Sequence, residues 1–301
     1  MKKIIIDTDI GDDADDILAL AYALKCPRLE LLGVTTVFKN TLQRAQMAQH
    51  LLALSGREDV PIHAGEGHSL KTKNAVEEKP CQFQQVMASY PVSSVSALDF
   101  YEQVLSNKSA SIEKVSIVAI GPLTNLAQLI SQKPHLIKNI EQIVLMGGCY
   151  YRHVNEWNIV CDPEAADIVF NSGIPIVAVG LDVTTKCQFT HHHLEQAKLH
   201  ADTPLKQLLL DSCDAWFEHS GFTPILHDPL AIHALVNPSS IQFTAEKIQV
   251  ELKGEHTRGM TVCSEDGIWG RVSDSPNAQI ASNLNYEEFT HHFLNEIFIQ
   301  S

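Results

Sequence analysis

The chain has 301 residues, 45% of them hydrophobic, enough for one large domain with a buried core or two small ones. Its formal charge of −14, from 22 basic and 36 acidic residues, excludes the basic footprint that nucleic acid or an anionic membrane surface requires. No apolar run reaches the roughly 20 residues of a membrane helix. The seven cysteines are scattered, odd in number and without a C-x-x-C pair, so a reduced cytoplasmic protein is expected.

In chain order, "KIIID" reads as a strand and "DDILALAYAL" as the helix after it. The start lacks the apolar core and cleavage site of a signal peptide. "LELLGVTTV" is a second strand, and "TLQRAQMAQHLLALSG" a helix closed by Gly56. The polar, poorly periodic stretch 64–94 predicts a long surface excursion, of the kind that often carries function. "KVSIVAIG" leads into a helix "PLTNLAQLIS" with Pro122 in its first turn. "EQIVLMGG" is a strand, "DPEAADIVFNSG" a helix capped by Asp162 with Pro163 at its first position, and "IPIVAVGLD" another strand. Residues 190–240 read as mostly helical. "KIQVEL" and "RGMTVCS" predict a late antiparallel pair, and "NYEEFTHHFLNEIFIQ" a closing helix. The strands are nearly continuous apolar runs, as strands buried on both faces are. The expected fold is one α/β domain over residues 1–301, with a mainly parallel, Rossmann-like central sheet flanked by helices.

Six aspartates fall between Asp7 and Asp16, directly after the first strand. In open α/β sheets, sites form at the carboxyl ends of strands. A helix N-terminus favours acidic side chains by about 0.3–1 kcal/mol each, which accounts for one or two of them. It does not account for six, because crowded like charges repel. A hard divalent cation with oxygen ligands would relieve that repulsion.

"DTDIGDDADDILAL" resembles the N-terminal signature of the nucleoside hydrolases of the inosine-uridine preferring type, D-x-D-P-G-x-D-D before a small apolar helix. Ile10 stands in place of the proline, and two extra residues follow Gly11. Asp15 and Asp16 align with the family pair, with Asp13 as an alternative for one of them. "GVTTVFKN", "VAIGPLTNLA", "IVLMGG", "EWNIVCDPEAA" and "LHDPLA" resemble further family segments in the same order. The resemblance implies Ca²⁺-dependent hydrolysis of the N-glycosidic bond of ribonucleosides. It implies that Asp9 binds the ion and takes a proton from the attacking water. Asp16, Asp228 and the carbonyl of Ile120 would complete the protein ligands. Asp15, Asn40, Glu156, Asn158 and Asp228 would hold the ribose, with Met146 against the sugar. Relatives of this kind imply a homodimer or homotetramer.

Other readings compete at several positions. His227 has two, the acid that protonates the departing base or a structural histidine near a helix start. Glu156 and Asn158 have alternate spacing, so on an extended segment they would share one face. Asp162 is an ordinary N-cap. His191, His192 and His193 point in different directions on a helix, so an N-cap at Thr190 with exposed histidines is expected rather than a metal site. Trp157, Trp216 and Phe222 are candidates for stacking on a base, against core packing. The H-G pair that many family members carry in the loop after the second helix has no clear equivalent, with His68 nearby; Asn155 is the candidate for the family's asparagine between "LMGG" and "EWN". Two other functions fit parts of the pattern: a Mg²⁺-dependent phosphohydrolase, from "DTD" after a strand, and a ribose-binding protein without turnover.

Overall fold

The computed structural model describes residues 1–72, 78–106, 114–263 and 275–300. Its first half alternates β1 (Lys2–Thr8), α1 (Asp15–Lys25), β2 (Leu29–Thr36), α2 (Thr41–Leu54), β3 (Ile62–Ala64), α3 (Ala97–Leu105), β4 (Val115–Ala119), α4 (Thr124–Gln132) and β5 (Ile140–Met146). Next come α5 (Trp157–Cys161), α6 (Pro163–Phe170), β6 (Ile176–Val179), α7 (Leu181–Thr184), α8 (His191–Lys198), α9 (Pro204–Ser220) and α10 (His227–Val236). The chain closes with β7 (Ile241–Glu246), β8 (Ile248–Val250), β9 (Thr261–Cys263), β10 (Ala278–Leu284) and α11 (Tyr286–Leu294).

The main sheet has the order β3-β2-β1-β4-β5-β6-β10-β7, parallel throughout except for the edge strand β7. Strand side chains alternate between two cores. Ile4 and Ile6 of β1 pack with α1, α2 and α9 to α11, while Ile5 packs with α3, α4, α6 and β8. Strand order runs outward from β1 in one direction and from β4 in the other. That reversal opens a crevice above the carboxyl ends of β1 and β4, the usual ligand position in such sheets. β8 and β9 form the expected separate antiparallel pair.

The two halves of the sheet differ in how readily their sequence announced them. Gly56 closes α2 with φ +66°, as its place after the helix predicts. Asp162 caps α6 by accepting the Ala165 N–H at 3.1 Å. Pro122, expected inside a helix, instead precedes it: α4 starts at Thr124 after an N-cap at Leu123. β3, α3, β7 and β10 were not expected. β10 is "AQIASNL", with few β-branched residues, and its place between β6 and β7 comes from pairing rather than propensity. Part of the long excursion (73–77) and the last residue of "RGMTVCS" lie outside the described residues. Among the described residues, no helix is long and apolar enough to cross a membrane.

Candidate active site

The crevice above β1 and β4 is a cavity of about 570 Å³. It separates the clustered aspartates into different jobs. Asp7 is fully buried below the cavity. Its Oδ1 accepts the Thr35 hydroxyl at 2.5 Å and the Asn125 amide at 2.7 Å, while Oδ2 is buried without a partner among the described residues. Burial pushes its carboxyl up to about 7. Asp12 is paired with Arg44 at 2.7 Å. Asp12 lines the cavity with Asp9, Asp13, Asp15 and Asp16.

Asp15 and Asp16 occupy the first turn of α1, and Asp228 the first turn of α10. One carboxylate oxygen from each lies within 4.8 Å of the other two. The Asp228 N–H also donates to Asp15 Oδ2 at 3.3 Å, and the Thr8 hydroxyl donates to Asp16 Oδ1 at 2.5 Å. All three carboxyls are raised well above their usual range, first by burial and then by repulsion from neighbouring carboxylates, Asp13 on Asp15, Asp9 on Asp16 and Asp15 on Asp228. Three buried carboxylates that converge in this way are a donor set suited to a hard divalent cation. Asp9 lines the same cavity outside that trio. Burial pushes it up to about 6, against the opposing pull of Arg44. Gly121 is required beside it, since a Cβ there would sit 2.8 Å from Asp9 Oδ1.

Glu156 and Asn158 do come together, but not on an extended segment. Glu156 is the N-cap of α5: Oε1 accepts the Asn158 N–H at 2.9 Å, and Oε2 accepts those of Ile159 at 3.1 Å and Gly148 at 3.0 Å. Asn158 lies in the first turn, and its amide donates to the carbonyls of Ile120 at 3.2 Å and Met146 at 3.1 Å. Ile120, Met146 and both polar residues line the cavity. Asn40 is outside that lining; its Oδ1 caps α2 by accepting the Gln43 N–H at 3.1 Å.

His227 lines the cavity next to Asp228. Its Nδ1 lies 2.7 Å from the Thr184 hydroxyl, and burial pushes the imidazole down to about 4. Trp157 and Trp216 reach the cavity with Asn155 and His219, whereas Phe222 and His68 are not part of its lining. Of the three histidines in a row, His191 and His192 are exposed. His193 folds back, taking the Thr190 N–H at 3.1 Å and stacking on Phe189, so it is not the exposed residue expected.

Two contributors escaped sequence reading. β2 runs into a corner where Phe38 and Lys39 both adopt left-handed backbone, with φ of 70° and 55°. Such a conformation costs a non-glycine residue about 1–2 kcal/mol. N–H bonds from Phe38 to the Glu66 carbonyl at 2.8 Å and from Lys39 to that of Gly67 at 2.9 Å hold it, and it delivers Lys39 to the cavity. The second is Arg44, fully buried on the apolar face of α2 with Ala45, Met47, Ala48 and Leu51. A charge on an apolar stripe was the available signal.

The comparisons with known proteins extend over this whole arrangement. The family model described as inosine-uridine preferring nucleoside hydrolase matches residues 4–291. The pyrimidine-specific ribonucleoside hydrolase RihA of Shewanella woodyi is 35% identical over 291 residues, covering 91% of this chain and 92% of its own. Among solved structures, the plant nucleoside hydrolase PpNRh1 is similar with a TM-score of 0.85 at 29% identity, covering 99% of both chains. A purine-preferring ribonucleoside hydrolase from Gardnerella vaginalis gives 0.83 at 30% identity over 98% of both. The family match takes in the acidic loop after β1, the α5 segment and the start of α10 alike, and the chain belongs to the inosine-uridine preferring nucleoside hydrolase family.

Proposed function

We propose that this chain, acting as a single domain, hydrolyses the N-glycosidic bond of ribonucleosides with the help of one Ca²⁺ ion. The observation that carries the reading is the convergence of Asp15, Asp16 and Asp228 in the lining of the cavity. Asp16 and Asp228 would hold the ion, with Asp9 and the Ile120 carbonyl completing the protein ligands. Ca²⁺ takes about six to eight oxygens, so ribose hydroxyls and water have room in the shell. The ion, when bound, supplies orientation for the water and the ribose hydroxyls.

The chain's own residues account for the remaining chemistry. Asp9 takes a proton as the water oxygen bonds to the anomeric carbon and the bond to the base breaks. The sugar gains positive character in that transition, and a cavity lined by buried carboxylates favours it. Asp15 accepts from a ribose hydroxyl, and Glu156 and Asn158 fix the opposite side of the sugar. Asn40, committed to its helix cap, contributes through the position of α2. The phosphohydrolase reading has no support from the family match.

The test is release of free ribose from uridine, cytidine, inosine and adenosine. The panel spans both base classes because the relatives named above include a pyrimidine-specific and a purine-preferring enzyme. Chelation should abolish release and added Ca²⁺ restore it; undiminished release in chelator would defeat the cation assignment. Chelation has a second expected signature. At the raised carboxyls of Asp15, Asp16 and Asp228 the cation-free fold binds more protons than the unfolded chain does. The contribution of these groups to stability therefore rises as pH falls from neutral toward the ordinary carboxylate range. Melting of the chelated protein at several pH values should show that slope, and saturating Ca²⁺ should flatten it.

The leaving group tests His227. Burial holds His227 neutral in the free protein, with Nδ1 against Thr184, so as the acid it would have to take up a proton and then pass one from Nε2 to the departing base. His227→Ala should then slow natural nucleosides by about 10²–10⁴-fold. The same variant should spare para-nitrophenyl riboside, whose phenolate departs without a proton. Equal losses on both substrates would make His227 structural.

A further inference from the structure

The loop from Asp9 to Ala14 is two residues longer than the signature it resembles, and it carries two additional acids, Asp12 and Asp13. It wraps around one side chain. Arg44, four residues beyond the N-cap of α2, is fully buried beneath the loop. Its Nη1 donates to the carbonyls of Asp9 and Ile10, and its Nε to that of Phe38 at 2.8 Å. Its Nη2 donates to Asp12 Oδ2 at 2.7 Å. The guanidinium thus joins the end of the β1 loop to the left-handed corner after β2. Only a rigid planar fork can serve acceptors set around one point in this way; a lysine offers one flexible ammonium. On the other side, Gly121 lies so close to Asp9 Oδ1 that no Cβ would fit. The Asp9 carboxylate therefore sits between Gly121 and the main chain that Arg44 holds.

We infer that Arg44, with Asp12 as its counter-ion, is a positioning residue that fixes the Asp9 main chain and so aims the Asp9 carboxylate at the attacking water. This rests on the role proposed for Asp9 above. The loop brings Asp12 onto Nη2, and the buried charge is thereby neutralised.

The test compares Arg44→Lys, Arg44→Met and Asp12→Asn with the parent protein, on a ribonucleoside the parent cleaves and in saturating Ca²⁺. Rates are normalised to folded protein by near-UV circular dichroism. A displacement of about 1 Å at a catalytic group costs on the order of 10²-fold in rate. Accordingly, kcat should fall by about 100-fold in Arg44→Met and about 10-fold in Arg44→Lys, with Asp12→Asn between Arg44→Lys and the parent, and KM should stay within about threefold. A purely structural role would lower the folded fraction and leave kcat per folded molecule unchanged; that result overturns the inference, as does a raised KM with unchanged kcat. Should Arg44→Met fail to fold, Arg44→Lys and Asp12→Asn decide by the same split. A parent that cleaves no ribonucleoside defeats the functional reading itself, whereas an active parent with unaffected variants defeats only the role of Arg44.

Discussion

Asp9→Asn should lower kcat on ribonucleosides by about 10²–10⁴-fold, the range expected when a general base is removed. The substitution keeps the volume of the side chain and an oxygen that can face a cation. The tight seat against Gly121 is therefore retained, and the change is confined to proton affinity. The pH profile gives an independent check. Asp9 acts as a base only when ionised, so parent activity should fall as pH drops through its pKa. Burial places that value at about 6 in the cation-free protein. A nearby bound cation favours the ionised form, so the acid limb should lie at or below this value in Ca²⁺. Asp9→Asn should lack that limb. A variant with parent kcat, or a limb that survives the substitution, would move the base elsewhere in the cavity, with Asp13 next to be tested.

Removing the ribose 2′-hydroxyl from the substrate should be nearly as damaging as removing the base from the enzyme. Sites built to bond a substrate hydroxyl reject the analogue without it by about 10⁴-fold or more. Asp15, Asp16 and Asp228 converge within 4.8 Å, and all are buried. A deoxyriboside would leave a carboxylate and one place in a cation's shell without the substrate partner they are built to hold. The kcat/KM ratio of inosine to 2′-deoxyinosine, or of uridine to 2′-deoxyuridine, measures this directly. Comparable rates on the two sugars would mean that the trio holds something other than the ribose edge, and the roles of Asp15 and Asp16 would have to be reassigned.

Much of the architecture was legible because it is written locally. Apolar runs of β-branched residues mark β1, β2, β4, β5 and β6, and caps or glycines mark the ends of α2 and α6. The family resemblance came from contiguous segments, each short enough to carry its spacing in the chain itself. The strands that were missed, β3, β7 and β10, are short or lack such runs, and they exist as strands because a neighbouring edge supplies hydrogen bonds.

The site divides in the same way. The sequence by itself determined that acidic side chains gather at the end of the first strand and that a helix follows at once, since both are properties of adjacent residues. Only the tertiary structure decided which of those acids does what. Asp7 lost its access to the cavity because Thr35 and Asn125 close over it, and Asp12 was taken by Arg44. Asn40 was drawn into a helix cap, and Glu156 became the cap of a helix that the alternate spacing had not announced. Asp228, more than two hundred residues away in sequence, completes the trio through the packing of α10 against α1. A carboxylate's pKa and partners depend on what burial brings within a few ångströms, and that distance is set by how helices and strands pack, which no local pattern in the chain encodes.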